Sequence, residues 1–314
     1  DGNNAWGTRP ANITVYLLAD GVRVANATLN ESNGWYHEFT NLTVFNGNDP
    51  IKYSIEELNV TVNMTNVPAG VISVEYVSVV DNSTAYNWTV NNTLVTVVNA
   101  TKIWNDGNNA WNTRPDNITV YLLADGVRVA NATLNEANNW YHEFTNLTAF
   151  NGNDEIVYNI EEVNVTGHTS VTSNSTAYNF TIVNTPLVNV SVIKVWTDND
   201  NQDGVRNASV TIHLVKNNET VIATVVLNDT NNWRYVFEGL DKYQNNGTLI
   251  NYTVTEDELE NYTVKITGNN YEFIVNNTHV IELVNVTVVK VWTDNDNQDG
   301  VRNASVTIHL VKNN

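Results

Sequence analysis

Lysine recurs in the sequence at positions where a β-strand would turn it towards an apolar interior. The pattern V-x-A-x-K-x-W surrounds Lys102, and V-x-V-x-K-x-W surrounds both Lys194 and Lys290. Alternate residues of a strand share one face. Each lysine is therefore predicted to lie between apolar residues and a tryptophan on the core side of its strand.

An acid and an amide end two further alternating rows. The acid closes Y-x-I/V-x-E at Glu57, Glu162 and Glu256. The amide closes a row of aromatic and aliphatic residues at Asn92, Asn184 and Asn277. The alternation predicts that three different strands bring one lysine, one glutamate and one asparagine into the same interior.

Two interpretations follow from burying these groups together. A buried charge costs several kcal/mol unless it is paired, so one interpretation is a Lys–Glu ion pair whose hydrogen bonds are completed by asparagine. The other interpretation is chemical. Burial lowers the pKa of a lysine and raises that of a glutamate, which leaves a neutral amine beside a protonated acid. The amine can then attack the asparagine carboxamide while the acid shuttles protons, giving a Lys–Asn isopeptide bond and ammonia.

The chain as a whole is an array of one repeat. Residues 194–218 return letter for letter as residues 290–314, and a looser copy begins near residue 99. We expect four units: 1–93, whose first strand would precede Asp1; 94–186 and 187–278, both complete; and 279–314, truncated. Short alternating strands separated by Asn, Asp and Gly turns predict an all-β fold of tandem immunoglobulin-like or prealbumin-like β-sandwiches. Linkers of one to three residues, such as Thr185-Pro186-Leu187, predict a stiff rod.

The first unit carries an insertion near residues 60–81. Glu57 and Asn92 are 35 positions apart, whereas Glu162 and Asn184 are 22 apart. Residues 67–80 alternate like an added hairpin. We interpret the segment as a surface insertion, with a ligand-contacting edge as the alternative.

Composition excludes several functions. The net charge of −19 argues against nucleic-acid binding, because a phosphate backbone requires clustered Lys and Arg. The sequence has no apolar stretch long enough to span a membrane and no cysteine for a disulfide or thiolate metal site. No arrangement typical of a turnover enzyme is present, and no cofactor is expected.

These motifs together resemble the Cna protein B-type domain. The resemblance rests on K-x-W, an R-P or R-N start to the next strand, W-x-x-x-F, Y-x-V/I-x-E and a closing F-x-I/V-x-N, and it covers essentially the whole chain. The family occurs in bacterial surface adhesins and pilins and in adhesin-like proteins of archaea. Many members form an intramolecular isopeptide bond between a first-strand lysine and a last-strand asparagine, assisted by glutamate.

The resemblance implies one cross-link in each complete unit. It assigns Lys102 to Asn184 with Glu162, and Lys194 to Asn277 with Glu256. The outer units depart from the pattern: Glu57 and Asn92 lack a lysine, and Lys290 lacks its acid and amide. We expect both ends to be cut from a longer polypeptide. The alternative is end-to-end self-association, in which Lys290 of one chain completes the first unit of the next.

Two weaker signals concern metal and glycan. Asp198, Asp200 and Asp203 lie in a loop that superficially resembles a calcium site, but the glycine stands one position too late for an EF-hand, so we interpret the loop as a turn. The chain contains about 25 Asn-x-Ser/Thr sequons. Asn26, Asn131, Asn207 and Asn303 are candidates for N-glycosylation.

The leading hypothesis is an extracellular structural segment of a cell-surface or cell-wall-attached stalk or filament, internally cross-linked and presenting an adhesive or anchoring element. Its partners would be further repeats of the same long chain, with lateral or end-to-end self-association possible in principle. The alternative is an adhesin that binds a host protein or glycan, for which an exposed aromatic or apolar patch would be the supporting feature.

Overall fold

The computed structural model describes residues 1–71, 73–84, 86–280 and 283–311. Its regular structure is almost entirely β, as the alternating patterns predict. Three single 3₁₀ turns, Glu31–Asn33, Glu136–Asn138 and Asp229–Asn231, occupy the same place in successive units. In the described part of the chain no helix is long and apolar enough to cross a membrane.

The first unit holds one sheet of three strands and a long hairpin. Its strands are β1 (Asn12–Ala19), β2 (Val22–Asn30), β3 (Phe45–Asn46), β4 (Asp49–Pro50), β5 (Tyr53–Glu57), β6 (Val74–Thr84) and β7 (Asn87–Trp104). The sheet has the order β2-β1-β5, and β6 pairs antiparallel with β7.

The second unit is a complete two-sheet sandwich. It adds β8 (Asn117–Ala124), β9 (Val127–Asn135), β10 (Tyr141–Thr148), β11 (Phe150–Asn151), β12 (Asp154–Glu155), β13 (Tyr158–Glu162), β14 (His168–Thr176) and β15 (Asn179–Thr197). One sheet has the order β13-β8-β9, and the other places β7 between β10 and β15, with β14 on the outer edge of β15.

The third unit repeats this plan. Its strands are β16 (Ser209–Lys216), β17 (Thr220–Asn228), β18 (Arg234–Asp241), β19 (Tyr252–Glu256), β20 (Tyr262–Asn269) and β21 (Glu272–His279). A sheet of order β17-β16-β19 faces one of order β18-β15-β21-β20. In both complete units the first and last strands therefore lie side by side and parallel.

Alternation explains why these segments become half-buried strands. Along β8, Ile118, Val120 and Leu122 are buried while the residues between them are partly exposed. Asp125 and Gly126 both have positive φ, which fits the tight turn that joins β8 to β9 and confirms the Ala-Asp-Gly turn read from the sequence.

Neighbouring units are joined by uninterrupted strands. β7 is the last strand of the first unit and the first strand of the second, and β15 has the same double role between the second and third. Thr185-Pro186-Leu187 therefore lies inside β15, and the carbonyl of Pro186 accepts a hydrogen bond from the backbone of Lys242 at 2.9 Å. A connection paired on both sides has little freedom to bend, which supports the expected stiff rod.

A loop at the start of each of the first two units packs against the next unit. In the first unit the Trp6 ring lies 4.9 Å from the Phe150 ring, and its indole N–H donates to Glu155 at 3.4 Å. In the second unit the Lys242 ammonium lies 3.3 Å from the centre of the Trp111 ring. These repeated contacts fix neighbouring sandwiches relative to each other in addition to the shared strand.

Substitution of Gly107 is expected to weaken the contact between the second and third units. Gly107 has a φ of +63°, and a Cβ there would lie 2.7 Å from the Tyr243 hydroxyl. Gly107→Ala should lower the free energy of unfolding by about 1 to 2 kcal/mol more than Gly126→Ala. Gly126 also has positive φ but faces open space, so it controls for backbone strain. Urea unfolding monitored by tryptophan fluorescence measures both; equal losses would show that the contact contributes nothing.

The insertion in the first unit differs from the expected hairpin. Only one strand, β6, lies within it, while residues 58–71 and residue 73 form no strand, and residue 72 lies outside the described residues. The segment before β6 packs partly buried Val62, Val67 and Val71 against the core of the second unit. The alternating residues 67–80 are therefore divided between this loop and β6, which pairs with β7, and do not form an added strand pair of their own.

The fourth unit contributes no strand in the part of residues 279–314 that the structure describes, beyond the end of β21. Residues 283–311 are extended or looped, and residues 281, 282 and 312–314 lie outside the described ranges. The predicted inward row of Val286, Val288, Lys290 and Trp292 is exposed, because no partner strand is present to form a sandwich around it.

Candidate functional site: a buried lysine–glutamate–asparagine cluster

Strand pairing brings the predicted residues together in both complete units. Lys102 on β7 pairs with Ile182 on β15, so Asn184 lies two residues further along the neighbouring parallel strand and on the same face. Lys194 and Asn277 have the same relationship across β15 and β21. The glutamates, Glu162 and Glu256, end strands of the opposite sheet and face this pair across the core.

In the second unit one carboxylate oxygen of Glu162 contacts both partners. The Lys102 ammonium lies 3.4 Å from Oε1, and the Asn184 side-chain N–H donates to the same oxygen at 3.0 Å. The side chains of Lys102 and Glu162 are 0% and 2% exposed. A nucleophilic amine, a proton carrier and a carboxamide therefore share one dry pocket.

The third unit repeats the cluster, but the asparagine amide makes no hydrogen bond to the glutamate. Lys194 lies 3.5 Å from Oε1 of Glu256, and both side chains are buried. Asn277 is buried as well, and in the described structure neither of its side-chain amide atoms has a hydrogen-bond partner. Its carboxamide is thus held in the pocket without being committed to another group.

Burial controls the protonation of these groups. Loss of hydration lowers the pKa of Lys102 and of Lys194 to about 8, against the opposing pull of the nearby glutamate. Burial likewise raises the pKa of the Glu256 carboxyl. In the third unit both directions weaken the Lys194–Glu256 ion pair relative to the neutral amine and the protonated acid.

The cluster also contains polar atoms that the described residues leave unpartnered. These include Oδ1 of Asn184 and Oε2 of Glu162. Buried polar atoms in native proteins are nearly always satisfied, so unpartnered atoms in a repeated position suggest a function beyond packing.

A tryptophan forms the outer wall of each pocket. The Lys102 ammonium lies 4.3 Å from the centre of the Trp104 ring, and the Lys194 ammonium 4.2 Å from that of Trp196. Each lysine also donates to the backbone carbonyl of the following residue, at 3.3 Å for Lys102 and 3.2 Å for Lys194. The K-x-W motif therefore holds the amine in place and excludes water from it.

An Asp–Arg clasp behind this tryptophan was missed by the sequence reasoning. The aspartate binds the arginine eight residues later and also accepts a hydrogen bond from the backbone three residues later. The pairs are Asp1–Arg9, Asp106–Arg114, Asp198–Arg206 and Asp294–Arg302. The signal was present as an aspartate and arginine at constant spacing in all four units. The clasp fixes the loop that follows the lysine strand.

The three aspartates that the sequence suggested as calcium ligands do not converge on one point: two contact other side chains, and the third is fully exposed. Asp198 binds Arg206 at 2.6 Å and accepts from the Tyr262 hydroxyl at 2.9 Å, and hydrogen bonding to Arg206 lowers the pKa of its carboxyl. The side chains of Asp200 and Asp203 are exposed, and Asp203 lies 3.3 Å from His279. Across the described ranges no group of three acidic, histidine or cysteine residues could hold a metal ion.

The outer units hold parts of the cluster. In the first unit the Asn92 side-chain N–H donates to Glu57 at 2.8 Å, which repeats the Asn184–Glu162 contact. Lys290 is exposed, contrary to the expectation that its strand face is buried, because the described residues around it form no sheet. The four glycosylation candidates, Asn26, Asn131, Asn207 and Asn303, are all exposed.

Tandem two-sheet sandwiches with an internal Lys–Glu–Asn cluster define a class of structural repeat protein. The family model for the Cna protein B-type domain matches residues 1–93, 98–185, 190–278 and 286–314. The chain belongs to this family.

The chain is also similar to known surface proteins. The chain is 34% identical over 320 residues to a collagen adhesin of Staphylococcus aureus, covering 100% of this chain and 26% of that protein. It therefore spans about a quarter of the relative's length. The two B repeat units of the collagen binding protein of S. aureus are 31% identical, covering 88% of this chain and 72% of theirs, with a TM-score of 0.30. A single B repeat of that surface protein is 29% identical, covering 60% of this chain and 100% of its own, with a TM-score of 0.31.

Proposed function

We propose that this chain is a load-bearing segment of a cell-surface stalk or filament, in which each complete sandwich is closed by a Lys–Asn isopeptide bond. The bonds would join Lys102 to Asn184 and Lys194 to Asn277. The observation that carries the proposal is the convergence of the Lys102 amine and the Asn184 amide on one carboxylate oxygen of Glu162 in a dry pocket. The third unit supports it, because Lys194 contacts Glu256 and Asn277 is buried at the equivalent position.

The reaction conserves atoms and changes no oxidation state. The neutral lysine amine attacks Cγ of asparagine, and a new C–N bond forms as the bond to Nδ2 breaks. The glutamic acid protonates the leaving nitrogen and later recovers a proton from the new amide nitrogen, so ammonia is the only product released. Each site reacts once, because its product is the cross-linked fold itself.

Intact-mass spectrometry tests the proposal directly. Two bonds should lower the mass of the chain by about 34 Da, the mass of two ammonia molecules, and tandem fragmentation should recover the joined peptides. Glu162→Gln should restore about 17 Da by removing the proton carrier from one site, while Glu161→Gln, on the exposed neighbour, should restore nothing. A full, unmodified mass in the unsubstituted chain would leave only the ion-pair interpretation.

Without the bonds, stability should increase with pH in the alkaline range. In an Asn184→Ala/Asn277→Ala variant each buried lysine keeps a pKa near 8, below its unfolded value of about 10.4. The unfolded state therefore binds more protons between these values. The resulting penalty is present in full below pH 8 and disappears as pH rises towards 10.4, which is worth up to about 3 kcal/mol per lysine.

Urea unfolding of this variant between pH 7 and 10 measures the effect. The matched control adds Lys102→Met and Lys194→Met, which removes the titrating amines and should remove the rise. A variant whose stability is flat or falls over this range would contradict the buried neutral amine.

The proposal also includes display of the chain at the cell surface and N-glycosylation of its exposed sequons. The exposed sequon residues Asn26 and Asn131 lie in the middle of edge strands, where a glycan would project away from the sandwich. Glycopeptide mass spectrometry of native material should detect carbohydrate at these positions. Further repeats of the same long chain would be the immediate partners.

We propose ligand binding as a second function, because the curated relative is named a collagen adhesin. Solid-phase binding of the 1–314 chain to immobilised collagen tests it, with heat-denatured collagen and an unrelated β-sandwich protein as controls. Absence of binding would leave the structural role as the sole proposal.

A further inference from the structure

The loop closed by each Asp–Arg clasp carries one variable residue at its tip. The tip residue, five positions after the clasp aspartate, is Trp6 in the first unit, Trp111 in the second and Asp203 in the third. The clasp itself is the same in these units, with the arginine always eight positions after the aspartate. The units therefore hold the loop in a constant way, while the chemical group at its tip changes.

At both junctions between these units, the loop packs against an equivalent place in the next unit. We call Ala149 in the second unit and Lys242 in the third the receiving residues. Both donate their backbone N–H to the strand shared with the preceding unit, Ala149 to the Leu94 carbonyl at 3.0 Å and Lys242 to the Pro186 carbonyl at 2.9 Å. The receiving side is variable as well, because it offers a methyl group in one unit and an ammonium group in the other.

The first junction is apolar apart from one carboxylate. Trp6 is 5% exposed, and its ring lies 4.9 Å from that of Phe150, the residue after Ala149. The two oxygens of Glu155 accept hydrogen bonds from the Trp6 indole N–H at 3.4 Å and from the Tyr178 hydroxyl at 3.1 Å. This place fits a large aromatic donor, whereas a carboxylate at the tip would meet an apolar ring and the like charge of Glu155.

The second junction holds a buried cation. Lys242 is 7% exposed, and its ammonium lies 3.3 Å from the centre of the Trp111 ring and 5.9 Å from that of Tyr271. The buried ammonium groups of Lys102 and Lys194 each reach a glutamate, but no carboxylate of the described residues lies within ion-pair distance of Lys242. The face of Trp111 therefore compensates the buried charge through a cation–π interaction.

A tip aspartate reaches a nitrogen-bearing side chain near the end of its own unit. The carboxylate of Asp203 lies 3.3 Å from Nδ1 of His279. His279 on β21 corresponds to Pro186 on β15, whose carbonyl binds the backbone of Lys242 at the second junction. From the tip, a short carboxylate side chain can therefore reach the region beside the receiving residue.

We propose that the tip residue and the receiving residue form a matched pair that selects which repeat can follow which in the array. A cationic receiving residue such as Lys242 accepts a neighbour whose tip is tryptophan or aspartate, because an aromatic face and a carboxylate both stabilise an ammonium. A small apolar receiving residue such as Ala149 accepts a tryptophan tip and rejects an acidic one. The partner of each receiving surface is thus another repeat of this kind, recognised by the chemistry of a single side chain.

Amide hydrogen exchange of the 1–314 chain, followed by NMR, measures the opening of each junction separately. The reporters are the backbone amides of Ala149 and Lys242, which are bonded across the two junctions and exchange when these open. Trp111→Ala should accelerate exchange at Lys242 about 10-fold and leave Ala149 unchanged, because it removes the aromatic face from the buried ammonium. Trp6→Ala should accelerate exchange at Ala149 and leave Lys242 unchanged.

The same aspartate at both tips is the decisive comparison. Trp111→Asp should keep exchange at Lys242 within about threefold of the unsubstituted chain, because a carboxylate replaces the aromatic face. Trp6→Asp should accelerate exchange at Ala149 more than Trp6→Ala does. Adding Lys242→Met to Trp111→Asp removes the cation and should bring back fast exchange at position 242. Aspartates with the same effect at both junctions, or alanine variants that accelerate neither amide, would overturn the proposal.

Discussion

Under tension applied to its two ends, the chain is expected to transmit force through the second and third units without unfolding them. Lys102 and Asn184 lie on the first and last strands of the second unit, which are adjacent and parallel. The proposed covalent bond between them would bypass the 81 residues that lie between them in the sequence. Force would then travel from strand to strand through the bond, and the enclosed sandwich would carry no load.

Single-molecule pulling measures this directly. Lys102→Arg should add one extension step of about 280 Å, the contour length of the released residues, to the record of the unsubstituted chain. Lys194→Arg should add a step of nearly the same length from the third unit. Lys265→Arg, on an exposed position of β20, is the control and should add none. Release of both sandwiches in the unsubstituted chain would contradict the cross-links.

Loss of the third-unit bond is expected to cause the largest change in thermal stability. Asn277→Ala removes the amide carbon that the amine would attack in the proposed reaction. For a closed loop of about 80 residues the chain-entropy estimate gives a loss of about 4 to 5 kcal/mol. For a sandwich of this size that corresponds to a fall of about 20 to 30 °C in the melting temperature of the unit.

Asn276→Ala provides the matched control for this loss. Asn276 precedes Asn277 on β21 and accepts one hydrogen bond from Thr197 at 3.0 Å. Its removal should cost about 1 kcal/mol. Differential scanning calorimetry compares the two variants, and equal shifts would indicate that Asn277 contributes only a hydrogen bond.

The sequence predicted the sandwich and its buried cluster because both depend on local periodicity. Alternation of apolar residues determined which face of β7 carries Lys102, and repetition of the pattern showed that this placement was systematic. At Lys290 the alternating pattern is intact, but the side chain is exposed because the described residues around it form no strand. The periodicity of a strand predicts which side chains share a face, but that face is buried only where another strand or sheet packs against it.

Tertiary packing explains the other differences. Residues 67–80 alternate like a hairpin, yet Val67 and Val71 pack against the neighbouring unit from a loop, and nothing in a single sequence distinguishes these outcomes. The Asp–Arg clasp, by contrast, was visible as a constant spacing of eight residues and was overlooked because Asp198 was considered only as a metal ligand. The Asp198 carboxylate is paired with the Arg206 guanidinium, which explains why it lies in a salt bridge and not in a cluster of metal ligands.

The uninterrupted course of β15 has a consequence for how such arrays change in length. No separate linker joins the second and third repeats, because β15 is the last strand of one sandwich and the first strand of the next. Insertion or deletion of a repeat must therefore preserve the phase of alternation across the junction, or a lysine would turn outward. The 25-residue stretch shared letter for letter by residues 194–218 and 290–314 satisfies this condition, because recombination within it adds or removes whole repeats in phase.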